Sequence, residues 1–151
     1  MDNTDIAILN CLSKNARMNA SDIADRVSLS TSAVIERIKK MENCRIIKQY
    51  TTILDYSLLG KDVSAMMAVS LDHPSNNPVF EASVINIPDV LECHYIAGDF
   101  DYMLKIVTKN SKSLQDVLNL IKSIDGVSKT KTMVVLSSIK ERTSAELKYK
   151  K

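Results

Sequence analysis

The order in which the hydrophobic period changes along the second half of the chain is what most constrains its fold. Val63–Leu71 (VSAMMAVSL) is apolar and short, as a strand is. "DHPSNNP" is a loop, and Asn77-Pro78 opens a helix, with Asn77 as cap and proline at the first helical position. That helix runs to about Asn86. Val90–Ala97 is a strand, "GDF" a turn, and Tyr102–Thr108 a strand. Ser111 caps a second helix whose apolar face is Leu114, Val117, Leu118 and Ile121, and Gly126 stops it. Val127–Ile139 is a last long strand.

The order is βαββαβ. It predicts a ferredoxin-like domain: four antiparallel strands with both helices on one face. Such a sheet has one uncovered face, which should be polar if water covers it. Here it is not. "MMAVSL" and "MVVL" barely alternate, and Leu104/Ile106 on one face of their strand are matched by Met103/Val107 on the other. The second face is therefore expected to be buried against another copy of the chain.

The first 45 residues follow a helical period. Ile6, Ile8, Leu9 and Leu12 recur at helical steps after the cap candidates Asp2 and Thr4. A second helix starts near "NASD", where Asn19 caps and Asp22 reaches back as in a capping box. Its apolar face is Ile23, Ala24 and Val27. A break follows at Ser28-Leu29. Ser30 caps a third helix that buries Val34, Ile38 and Met41. Two short helices joined by a turn make a helix-turn-helix. The small Ala24 lets the second cross the first closely. "IIKQYTTILD", from Ile46 to Asp55, is β-branched and alternating, and reads as a strand or wing leading out of the helices. "YSLLGKD" supplies a joint, with Gly60 as hinge. The expected architecture is α+β: a winged helix-turn-helix over residues 1–60 and the ferredoxin-like domain over 61–151.

Charge agrees with a polyanion as partner. Residues 1–29 carry three basic and four acidic side chains, net −1. Residues 30–50 carry five basic and two acidic, net +3, and the tail from Lys140 repeats that balance. A local basic patch says more about a polyanion than the overall +2 does. The third helix turns small polar residues outward first and long cations later, which suits a major groove. Thr31, Ser32, Ile35 and Glu36 are placed to meet base edges, and the cap residue Ser30 is expected in the DNA-binding set with them. Arg37, Lys39, Lys40, Arg45 and Lys48 are placed to meet phosphates. Glu36 can accept from a cytosine amino group but repels phosphate, so it sharpens specificity rather than affinity.

Other chemistries find little support. Cys11, Cys44 and Cys93 are odd in number and widely spaced, which fits reduced thiols in a cytoplasmic protein rather than a disulfide framework or a metal pair. Cys93 and His94 are adjacent, but neighbours on a strand point to opposite faces. No metal and no cofactor is expected. No apolar run approaches the roughly 20 residues that cross a bilayer, and the acidic start lacks the basic region of a signal peptide. There is no catalytic triad and no phosphate-binding glycine loop, so an enzyme is not expected. The Asp99/Asp101 pair could act as acid and base only if one carboxyl were strongly desolvated, and a hairpin turn offers little of that.

"DIAILNCLSKNARMNASDIADRVSLSTSAVIERIKKME", "IIKQYTTILD", "VLECHYIAGDFDYMLKIVT" and "DGVSKTKTMVVL" together give the chain a resemblance to the Lrp/AsnC (feast/famine) regulators of transcription. Asn15-Ala16-Arg17 after the first helix and the Gly-Asp-aromatic-Asp turn fit that pattern. Two positions depart from it: Ser28 and Arg45 stand where the family usually has glycine. Either Ser28 takes a left-handed conformation at a cost of about 1 kcal/mol, or Asn43 caps the third helix earlier. The resemblance implies a regulator that binds operator DNA, dimerises through its sheet, often forms octamers, and senses a small effector, usually an amino acid, between subunits. By position it implies an effector site at Gly98, Asp99, Phe100, Asp101, Thr130 and Thr132. An aspartate would accept from the ligand ammonium, while turn amides and threonine hydroxyls would meet its carboxylate. The alternatives are a turn that serves only its own geometry, an architectural DNA-binding protein without effector, and a tetrapyrrole decarboxylase of similar architecture.

Overall fold

The computed structural model describes residues 1–149. The chain divides into two compact units, one made of Met1–Ile53 with the chain from Lys140 onward, the other of Leu54–Ile139.

The first unit holds α1 (Asn3–Lys14), α2 (Ala20–Val27) and α3 (Thr31–Asn43). Asp2 caps α1 and forms a full capping box with Asp5. Thr4 lies inside the helix. Asn19 caps α2 through the Asp22 amide, without the reciprocal bond. Ser30 caps α3 by accepting from the Ala33 amide. Ile8, Ile23, Ala24, Val34 and Met41 form the core between the helices, with Ile38 half-buried at its margin. Ser28 takes the left-handed conformation at φ 54, and the Leu29 N–H reaches back to the Ala24 carbonyl. Arg45 is also left-handed, at φ 55. Its N–H donates to the Glu42 carbonyl and that of Ile46 to Met41, the paired bonds of a Schellman motif. Both departures from glycine are thus absorbed as strained turns, and Cys44 rather than Asn43 stands at the C-terminal cap of α3.

The strand expected from Ile46 to Asp55 is not formed: those residues make no ladder pairing among the described residues. A strand is stable only with a hydrogen-bonding neighbour. Ile47 packs on the core of the three helices, but Ile53 is 76% exposed and Tyr50 49%, so the alternation does not find a continuous surface to cover.

The second unit contains β1 (Val63–Leu71), α4 (Asn77–Ile85), β2 (Val90–Tyr95), β3 (Tyr102–Thr108), α5 (Ser111–Lys122) and β4 (Val127–Val135), the expected βαββαβ order. All pairings are antiparallel and the sheet order is β2-β3-β1-β4. A 3-10 turn over Pro74–Asn76 precedes α4, so Asn76 rather than Asn77 stands at its cap and the proline sits one position deeper. Asn110, not Ser111, caps α5, with Ser113 completing the box. β2 and β4 stop short of Ala97 and Ile139 because their ladders end.

Ala65, Met67 and Val69 of β1 and Leu104 and Ile106 of β3 pack against Phe80, Val84, Leu114, Val117 and Ile121 of the two helices. Tyr102 is buried among them, stacks near Phe80 and Tyr95, and donates to Glu81 Oε1 at 2.7 Å. Burial and that bond push its phenol well above the usual range. The opposite face carries Met66, Met103, Val107, Met133 and Val135, interrupted by Lys105, Glu92 and His94. No helix of this unit covers it.

Candidate nucleic-acid interface and ligand turn

Helix α3 displays what its sequence pattern predicts. Val34 and Met41 are buried, which turns Thr31, Ser32, Ile35, Glu36, Lys39 and Lys40 outward. Ile35 is 41% exposed despite being aliphatic, so the helix offers an apolar contact among polar ones. The Ser30 and Ser32 hydroxyls lie 3.1 Å apart at its start. Lys39, Lys40, Arg45 and Lys48 are exposed and enter no ion pair among the described residues. Their charge is available to an outside anion.

Arg37 is placed differently. Its guanidinium donates to Asp2 Oδ2 at 2.8 Å and to Asp5 Oδ1 at 2.7 Å. It therefore ties α3 to the capping box of α1 rather than standing among the outward cations. The Asp5 amide and then the Arg37 guanidinium hold the Asp2 carboxyl below the usual range. A cation on a nominally outward helical position gave no hint of this in α3 itself. The hint lay in the Asp-x-x-Asp spacing at the chain's start. Tyr50 donates to Glu42 Oε1 at 2.9 Å, and burial with that bond pushes its phenol up to about 12.

The Gly98–Asp101 turn joins β2 to β3. Gly98 has φ 149 and is free of neighbours at the position of a Cβ. Asp101 is fully engaged with the fold. Its N–H donates to the Val69 carbonyl at 3.0 Å, its carbonyl accepts from Ile96 at 2.8 Å, and its carboxylate accepts from the Leu71 N–H at 2.8 Å. It thereby terminates β1 at a register shift. The Asp99 carbonyl accepts from Ser70 Oγ at 3.4 Å, whereas its carboxylate has no partner among the described residues. Phe100 lies under Lys129, whose Nζ is 5.3 Å from the ring centroid.

The two threonines are on the other side. Thr130 pairs with Val69 and Thr132 with Met67, both core residues, so their side chains share the helix-covered face. Alternation puts Lys129 on the uncovered face. Within one chain, then, the turn is brought together with Lys129 and not with Thr130 or Thr132. Lys129 is the residue that sequence reading missed. Only the register of β4 against β1 reveals it.

Cys93 pairs with Leu104 on the helix side and His94 with Met103 on the open side, so the two do not converge. His94 instead lies 3.1 Å from Glu92, which is held below the usual carboxylate range by that bond and by Lys105. No cluster of His, Cys, Asp or Glu among the described residues could hold a metal ion. No helix among them is long and apolar enough to cross a membrane.

A capped helix-turn-helix with an outward cationic helix, followed by a ferredoxin-like unit with an exposed carboxylate in its turn, has the two-part layout of a DNA-binding regulator. The comparisons say the same. Residues 1–42 match the AsnC-type helix-turn-helix domain and residues 64–145 the Lrp/AsnC ligand binding domain. The chain belongs to the Lrp/AsnC family of transcriptional regulators and is not an enzyme. It is 30% identical over 148 residues to the HTH-type transcriptional regulator FL11 of Pyrococcus furiosus, covering 98% of this chain and 97% of that one. Its structure is similar to that of a transcriptional regulator of Neisseria meningitidis in complex with L-methionine, with a TM-score of 0.92, 32% identity and 96% of each chain covered. It is also similar to the feast or famine regulatory protein of M. tuberculosis complexed with L-methionine, with a TM-score of 0.90, 25% identity, and 97% and 99% covered.

Proposed function

We propose that this regulator reads specific operator sequences as a dimer or higher oligomer in the cytoplasm, and that an amino acid bound beside the Gly98–Asp101 turn controls it. The observation that carries the reading is the pairing of charges at that turn. Asp99 offers an unpaired carboxylate and Lys129 an ammonium two strands away, at the end of an apolar face. A zwitterion needs both signs. Asp101, being tied to Leu71, shapes the turn and leaves Asp99 as the acceptor for the ligand's ammonium. Lys129 and the turn amides meet its carboxylate.

A second copy supplies the remaining wall. The band of Met66, Met103 and Met133 is the surface it covers, and the threonines contribute only if the assembly brings them near. The two relatives solved with L-methionine support an amino acid of this class.

The test combines two measurements on the full chain. Thermal shifts are recorded with each amino acid, and mobility shifts on the protein's own upstream region are repeated with those that stabilise it. At least one amino acid should raise the melting temperature and alter the DNA shift, and Asp99→Ala should abolish both responses while leaving ligand-free melting unchanged. A DNA shift indifferent to every amino acid would instead mark an architectural protein.

A further inference from the structure

We infer that a groove between α1 and α2 is a docking site for the chain's own C-terminal segment, which acts as a detachable strap on the DNA-binding unit. The segment around Leu147 lies along α1. The Asn10 side chain reads the main chain of Leu147 at both of its polar groups: Nδ2 donates to the carbonyl at 3.0 Å, and Oδ1 accepts from the N–H at 3.1 Å. A carboxamide presents one donor face and one acceptor face, so it can take the place of a neighbouring strand for one residue. Such a pair recognises extended backbone whatever its side chain.

The groove adds selectivity. Its floor is Ala7, Cys11 and Val27, small or apolar residues that let a chain lie close, and Leu147 is half-buried. Its rim carries Lys14 and Arg26, opposite in sign to Glu146 of the docked segment. None of these residues belongs to the outward face of α3, so DNA and strap do not compete for one surface.

The strap also has a topological effect. The chain passes from the first unit to the second near Ile53 and returns near Ile139, close after the end of β4. While the segment is docked, the three helices are tethered twice, covalently at Ile53 and noncovalently through Leu147, and undocking leaves only the covalent tether. Whatever alters the course of β4 alters the strain on the strap, and the coupling is reciprocal. That use in signalling rests on the sensing role proposed above, whereas docking itself does not.

The test is amide hydrogen exchange on the full chain and on Asn10→Ala. Alanine favours a helix, so the variant keeps α1. In the parent chain the Leu147 amide should exchange at least about tenfold more slowly than an unprotected amide, since Asn10 Oδ1 accepts from its N–H and Asn10 Nδ2 anchors the same residue's carbonyl. Asn10→Ala should erase that protection without changing exchange at Ile8 or Val34. Alkylation gives a second reading: Cys11 should react faster in the variant, with Cys44, which is exposed, unchanged as reference. Free exchange at Leu147 in the parent chain, or protection that survives Asn10→Ala, overturns the docking. Protection that fades on dilution overturns docking in the same chain and makes the occupant a second copy. Loss of amino-acid response with docking intact would count against the sensing role alone.

Discussion

Arg37 of α3 holds Asp5 of α1 at 2.7 Å, closing the three-helix unit across 32 residues of sequence. The same guanidinium takes Asp2, so a single cation fixes both carboxylates of the capping box. This makes it a residue of the fold. Replacing it with Gln should lower the melting temperature and leave the salt dependence of DNA binding unchanged. The sign with pH follows from Asp2. Its carboxyl is depressed below 3.8 in the folded chain, so the stability it contributes is complete above that value and lost as pH falls through the folded pKa. The stability gap between the parent chain and Arg37→Gln, followed by circular dichroism, should therefore be full near neutral pH and shrink in acid, where the two curves converge.

Lys39 and Lys40 should behave in the opposite way. Both are exposed and free of ion pairs among the described residues. Their joint replacement by Ala should leave melting nearly unchanged, weaken binding on every DNA sequence, and flatten the plot of log affinity against log salt by about 2, one phosphate contact each. An unaltered slope would remove them from the contact surface.

Ser28 and Arg45 both occupy left-handed backbone that favours glycine. Ser28→Gly and Arg45→Gly should each stabilise the chain by about 1 kcal/mol. Only the second should cost DNA affinity, because it also deletes a cation. Thermal melting and a salt titration of binding separate the two effects.

Gly126 closes the turn between α5 and β4 at φ 86, with the Asn76 side chain where a Cβ would lie and its carbonyl accepting from Asp72 at 2.9 Å. Gly126→Ala should cost about 1 kcal/mol or more for the backbone conformation alone. Part of the loss should return when Asn76, whose Cβ itself would lie 2.6 Å from the new methyl, is replaced by Gly in the same chain, and a double-mutant cycle measures that coupling.

The sequence made some of this legible and hid the rest for definite reasons. β1 and β3 were bounded to the residue because their apolar runs end at charged or turn residues. Asn76 and Asn110 lay one position before the caps expected at Asn77 and Ser111, since several cap-competent residues stand in a row and only φ and ψ choose between them. The Ile46–Asp55 segment has strand composition, but composition cannot supply a neighbouring strand. Within the ligand turn, "GDFD" announced two aspartates of equal standing. The Leu71 amide, thirty residues away, takes one of them, and β4 register puts Lys129 rather than the threonines beside Phe100. Long-range pairing of this kind leaves no periodic trace.

The bond between Asn10 and Leu147 spans 137 residues of sequence. Synthesis runs from α1 toward Leu147, so the groove exists before the segment that fills it. A nascent chain can assemble α1, α2 and α3 long before the groove on α1 is filled. A chain not yet extended past Leu147 therefore exposes its DNA-reading helix with that groove still open.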